Sequence, residues 1–152
     1  MRAAELAENL PTVDLDTDAM EAARTLARHR IPGLVVMDES GSPYTVLPGS
    51  QVLRFVIPSY VQDDPQLAAV YDERAADELC GQLSGRPVRD LLPRRPDPDD
   101  LPVVDADANS MEVAALMARL RSPIVAVVDH GVYLGAVTVS RLLTHLLPEQ
   151  SR

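Results

Sequence analysis

The chain has no tryptophan, one phenylalanine and four tyrosines among 152 residues. With aromatics at 3%, a core has to be assembled from Ala, Val, Leu and Met, and the 46% hydrophobic content suits a globular rather than a disordered chain. A single cysteine, Cys80, excludes an intrachain disulfide framework, so a reducing cytoplasm is the expected setting. The opening MRAAELAENLP lacks the apolar stretch of a signal peptide. No apolar run approaches the ~20 residues of a membrane span, so direct membrane insertion is not expected. Basic residues are outnumbered, 14 against 23 acidic, and the net charge of −9 disfavours a nucleic-acid partner.

Catalytic signatures are missing as well. There is no G-x-x-x-x-G-K-[ST] phosphate loop, no G-x-G-x-x-G fingerprint and no G-x-S-x-G elbow. His29, His130 and His145 lack metal-ligand spacing. His130 beside Asp129 reads as a polar turn rather than an acid–base pair. Asp97, Asp99 and Asp100 lack the glycine and terminal glutamate of a calcium loop and read as a solvated acidic segment. Cys80 has no local activating cation and reads as a packed thiol. An enzyme is not expected.

What is present is a duplication. Leu10 to Asp38 aligns without gaps on Leu101 to Asp129, and roughly half the positions are identical, among them Pro11/Pro102, Asp14/Asp105, Met20/Met111, Arg28/Arg119 and Pro32/Pro123. After a one-residue gap Ser50 aligns with Ser140, and Pro58 with Pro148. Each copy reads as strand, helix, strand, strand, helix. The first strand lies at Leu10–Leu15 or Leu101–Asp105. Asp18 with Glu21, and Asn109 with Glu112, have capping-box spacing. Met20, Ala23, Leu26 and Ala27, and Met111, Ala114, Met117 and Ala118, give each helix an apolar face. Short β-branched runs, Gly33–Met37 and Ile124–Val128, read as strands followed by turns and second strands at Tyr44–Leu47 and Tyr133–Val137. Helices Ser50–Ile57 and Ser140–Leu147 end before prolines. One copy of about 50–60 residues is marginal alone. Two packed by their sheets would form a pseudo-twofold pair with clefts at the seam.

Between the copies, Asp64-Pro65 reads as a helix start, and Leu67, Tyr71, Ala75, Leu79 and Leu83 form an i, i+4 stripe up to Gly85. Asp72, Glu73, Asp77 and Glu78 make the other face acidic. This helix either lies on its own domain, solvated on that face, or docks a partner or second subunit. Arg94 to Pro102 reads as a loop.

At the end of copy two, Gly135-Ala136-Val137-Thr138-Val139-Ser140-Arg141, within DHGVYLGAVTVSRLL and preceded by IVAVV, resembles the terminal motif of a CBS domain. The whole chain resembles a CBS pair, or Bateman module. The resemblance implies an α+β fold of two tandem βαββα repeats packed sheet to sheet, with repeat 1 at 1–58, an acidic helical insert at 59–87 and repeat 2 at 88–152. It also implies a regulatory module whose cleft takes an adenosine ligand such as AMP, ADP, ATP or S-adenosylmethionine. In the family a Thr meets phosphate at a helix start, an Asp two or three residues on bonds the ribose, and apolar strand residues flank the adenine. Carried over, the main site falls on Thr138, Arg141, Pro123, Ile124, Val125 and Val103, and a weaker repeat 1 site on Ile31, Pro32, Gly33 and Gln51. The sequence departs from the pattern in three places. Arg141 stands where the ribose Asp belongs, so it either pairs a phosphate or points to solvent. Pro48 and Gln51 occupy the matching positions of copy one. Val35 and Ala126 stand where a proline is common. The family further implies a homodimer and a regulated transporter or enzyme acting in trans. The alternative is a degenerate pair that keeps only a structural, dimerising role.

Overall fold

The structure is a computed structural model and describes residues 1–93 and 100–149. Repeat 1 contains β1 (Thr12–Asp14), α2 (Ala19–His29), β2 (Gly33–Met37), β3 (Pro43–Pro48) and α3 (Gly49–Val56). Repeat 2 contains β4 (Val103–Asp105), α6 (Ser110–Leu120), β5 (Ile124–Asp129), β6 (Val132–Thr138) and α7 (Val139–Leu146). A short helix α1 (Ala3–Leu6) precedes β1, and α4 (Ser59–Asp63) and α5 (Glu73–Gly81) lie in the insert. Each repeat folds as a three-stranded sheet in sequential order, its first two strands parallel and its last two antiparallel.

The two sheets pack face to face, and the alternation of side chains explains the β-branched runs. Leu34 and Val36 of β2 point into the core of repeat 1, while Val35 points into the seam. Val125 and Val127 of β5 enter the core of repeat 2, while Ile124 and Ala126 enter the seam. Both faces of these strands are covered, so both are apolar. Gly33 sits where a Cβ would come within 3.0 Å of Ile124 Cγ2, which allows the sheets their close approach. Val46 and Ala136 complete the seam.

The chain also crosses between repeats twice. Ala3 and Leu6 are buried in the core of repeat 2, and Ala3 N and Ala4 N donate to Ala108 O and Ala106 O at 2.7 and 3.1 Å. In the same way Val88 and Leu91, in a 3-10 turn (Val88–Leu91), are buried in the core of repeat 1. There Val88 N and Arg89 N donate to Thr17 O and Leu15 O at 2.8 and 3.0 Å. Thr17 and Leu15 align with Ala108 and Ala106, so the two crossings are pseudo-twofold equivalents. The segment before each repeat completes the core of the other.

Several local expectations are corrected. The insert is not one helix: a 3-10 turn (Pro65–Val70) capped by Asp64 is separated from α5 by Tyr71 and Asp72, because the Asp72 carboxylate accepts Ala75 N at 2.8 Å and starts a new helix. Of the proposed stripe only Leu83 is fully buried, and Cys80 is exposed rather than packed. Asn109 caps α6 through Glu112 N at 2.9 Å, but Asp18 does not cap α2. The carbonyl of Arg86 takes Ala19 N at 2.7 Å, and the Asp18 carboxylate turns away from the helix start to accept Gly85 N at 2.7 Å. The buried edges are Ala22/Leu26 and Val113/Met117, while Met111 is 66% exposed. Of the acidic trio, Asp100 pairs with Arg119 at 2.9 Å, and Asp97 and Asp99 lie outside the described residues.

Candidate functional site

Two clefts flank the seam, and each is built from the strand–helix junction of one repeat and the helix–strand turn of the other. The first, about 420 Å³, combines Thr138, Ser140, Arg141 and Thr144 at the start of α7 with Arg30, Ile31 and Pro32 after α2, and with Glu8 and Leu10 before β1. The second, about 230 Å³, combines Pro48 and Gln51 at the start of α3 with Arg121 and Ser122 after α6, and with Asp100 and Pro102.

Position 138 is the extended residue before α7, and its hydroxyl accepts Arg141 N at 3.2 Å. A hydroxyl there lies beside the orphan N–H groups of an eight-residue helix, which favour an anion. Pro48 before α3 makes no side-chain cap. Arg30 and Arg121 end α2 and α6 in the left-handed conformation, φ 54° and 52°, turning the chain into the buried strands.

Arg141 lies along the wall of the first cleft. Its Nε donates to Leu6 O at 3.2 Å and sits 3.4 Å from Glu8 Oε1, and its Nη2 donates to Glu5 O at 3.5 Å. Gln51 does the equivalent in repeat 1, its Nε2 donating to Leu91 O at 3.0 Å. Both side chains therefore bond the carbonyls at the end of a crossing segment. Among the described residues Arg141 Nη1 has no hydrogen-bond partner and Arg30 pairs with no carboxylate.

The structure brings Thr138 and Arg141 together, but their neighbours across the cleft are Ile31 and Pro32, which the sequence assigned to the other site. Gln51 lies in the second cleft. Pro123 lines neither cleft; it opens onto a groove of about 450 Å³ between α6 and α7. Ile124, Val125 and Gly33 are buried in the seam and cores, and Val103 packs on the seam from β4. The sheets meet through Ile124, Val103 and Gly33. Glu8 and Leu10 were missed because they depend on the crossing of the chain between repeats, and Arg30 because it depends on how one repeat packs on the other; Ser140 and Thr144 lie on α7 beside Arg141.

The remaining titratable groups lie elsewhere. His130 Nδ1 is 2.9 Å from Asp129 Oδ1 on the exposed β5–β6 turn. Burial raises the Tyr133 phenol above its ordinary value. Among the described residues no cluster of His, Cys, Asp or Glu is arranged to hold a metal, and no helix is long and apolar enough to cross a membrane.

The model of the CBS domain family matches residues 3–47 and 88–148, and both matches begin at the crossing segments. No curated protein matches the chain. Among solved structures, a CBS domain-containing protein of unknown function from Kribbella flavida DSM 17836 is 55% identical, over 96% of this chain and 98% of its own, with a TM-score of 0.78. The CBS domain of a membrane protein from Sphaerobacter thermophilus is 23% identical over 98% of this chain and 90% of its own (TM-score 0.68). CBSX2, solved in complex with AMP, is 21% identical over 95% of this chain and 94% of its own (TM-score 0.65). With a repeat of the same topology on each side of the seam and the family model matching over most of its length, the chain belongs to the CBS domain family as a tandem pair.

Proposed function

We propose that the chain is a regulatory module that binds an adenine nucleotide in the cleft at Thr138 and acts in trans on a partner protein. One observation carries the reading: a helix-start hydroxyl, Thr138, shares a cleft of about 420 Å³ with two guanidiniums, Arg30 and Arg141. Donors of this kind suit a phosphate. Leu10, Ile31 and Pro32 supply an apolar wall for a base. AMP is the first ligand to try, since CBSX2 was solved with it. The cleft at Pro48 lacks the hydroxyl, and its Asp100 is already paired with Arg119. Titration calorimetry with AMP, ADP, ATP and S-adenosylmethionine tests the reading. It predicts one ligand per chain, weakened by Thr138→Ala; silence from all four with folded protein would reject it.

A second reading, a dimerising module without a nucleotide, draws on a different observation. Leu143 and Leu146 of α7 are 45% and 37% exposed along the α6–α7 groove. Val56, aligned with Leu146, is 3% exposed and clusters with Leu83 of the insert. A second copy of the chain is the proposed occupant of the open groove. Light scattering that reports a dimer, reduced to monomer by Leu143→Glu, supports this reading; a monomer at tens of micromolar counts against it.

A further inference from the structure

We propose that Glu8 is a specificity residue of the Thr138 cleft, sharing Arg141 with the ligand and steering the cleft toward a nucleoside monophosphate and away from longer phosphate chains. The inference rests on the nucleotide reading above and adds to it which nucleotide the charges select. Glu8 reaches the cleft on a fixed arm. Its N–H donates to Ala136 O and its carbonyl accepts Ala136 N, both at 2.9 Å, in an antiparallel bridge to β6. Ala3 and Leu6, just before it, are buried in the core of repeat 2. The arm also lies so close to β6 that a Cβ on Gly135 would come within 2.6 Å of Glu8 O.

From this arm the carboxylate meets Arg141 Nε at 3.4 Å, the two side chains 42% and 46% exposed. Glu8 and Arg141 line the same cavity, and Arg30 lines it from the helix–strand turn of repeat 1. Two arginines and one glutamate therefore line the same cleft, with the glutamate in contact with Arg141. An incoming phosphate gains from Arg30 and Arg141 and is opposed by Glu8, and the opposition grows with each further charge on the ligand. One phosphoryl group, carrying about −1.5 to −2 at pH 7, comes close to balancing the two arginines. A triphosphate has charge beyond what they neutralise, and the excess falls against Glu8. In the second cleft neutral Gln51 stands in the place of Arg141, and the carboxylate that lines it, Asp100, pairs with Arg119 outside the cleft.

The test is titration calorimetry of the full chain with AMP and with ATP, in the wild type and in Glu8→Gln. Glutamine keeps the size of the side chain and leaves the backbone bridge to Ala136 in place, and a thermal melt checks the fold. The half-exposed pair implies a modest effect: ATP binding tightens about five-fold and AMP binding no more than about two-fold. The difference shrinks at high salt. Adding Arg141→Gln to the Glu8→Gln protein removes the gain, which a purely structural role for Glu8 does not predict. Glu8→Ala provides a second route to the same ratio and should shift it in the same direction. Equal shifts for both nucleotides, or weaker binding of both by folded Glu8→Gln, overturn the role of Glu8 while leaving the nucleotide reading intact. No binding of either nucleotide by wild type or variant overturns both. ATP bound only by the variant supports the role.

Discussion

At the start of α7 a threonine caps the helix and an arginine follows it into the cleft; at the start of α3 a proline and a glutamine hold the same places. The backbones match, and so do the scaffolding bonds. Arg141 bonds Leu6 O as Gln51 bonds Leu91 O, so both residues tie a crossing segment to the helix start. The difference is what each leaves over for a ligand. Gln51 offers neutral groups, while Arg141 keeps a charge that faces the cleft. Divergence has therefore changed the chemistry at one junction without disturbing the architecture that both share.

The comparison can be broken most severely at the crossings. Leu6→Ala and Leu91→Ala each empty a buried site, 2% exposed in both cases, and each should cost about 2–5 kcal/mol in denaturant unfolding. A negligible cost for Leu6→Ala alone would mean that α1 is not part of the repeat 2 core. Next come the glycines beside the two junctions. Gly135→Ala drives a methyl against Glu8 O and should cost about 1–3 kcal/mol. In Gly49→Ala the new Cβ meets only Pro32 O, at an ordinary 3.7 Å, and little loss is expected. Equal melting temperatures for the two variants would contradict the close approach of the arm to β6.

A smaller effect is expected at the caps. Thr138→Ala removes a side-chain cap and should cost about 1 kcal/mol, together with weaker AMP binding. Gln51→Ala gives up one hydrogen bond, also worth about 1 kcal/mol, and should leave AMP binding unchanged. The smallest effect lies at the β2–β3 turn. Hydrogen bonds from the Ser40 hydroxyl and the Ser42 and Ser40 amides hold the Asp38 carboxyl below its ordinary value. A group lowered on folding adds stability above its unfolded pKa and loses it as pH falls through the folded value. Asp38→Asn should therefore lower the melting temperature at neutral pH, with the penalty fading in acid. A penalty that stays constant into acid would remove the carboxylate from the explanation.

Much of this architecture could be read from the sequence because it repeats. The β-branched runs, the turn after each Asp and the prolines closing the last helices gave the element order of both repeats, and the CBS resemblance at Gly135–Arg141 gave the fold. The crossing segments were hidden because Ala3–Leu6 and Val88–Leu91 share almost no residues; what they share is a small or branched apolar residue followed three places later by leucine. Thr138 was grouped with Pro123 of its own repeat because the packing of one repeat on the other is not written in either, and its partners across the cleft are Arg30, Ile31 and Pro32. Asp18 failed as a cap for a related reason. The group that competes for it, Gly85 N, lies in the insert, distant in sequence.

The most direct test of the divergence between the two junctions is calorimetric titration of AMP into wild type, Thr138→Ala and Gln51→Ala in parallel. One AMP per chain, weakened in Thr138→Ala and unchanged in Gln51→Ala, is the predicted result. Binding lost in Gln51→Ala but kept in Thr138→Ala would place the ligand in the other cleft and contradict the assignment.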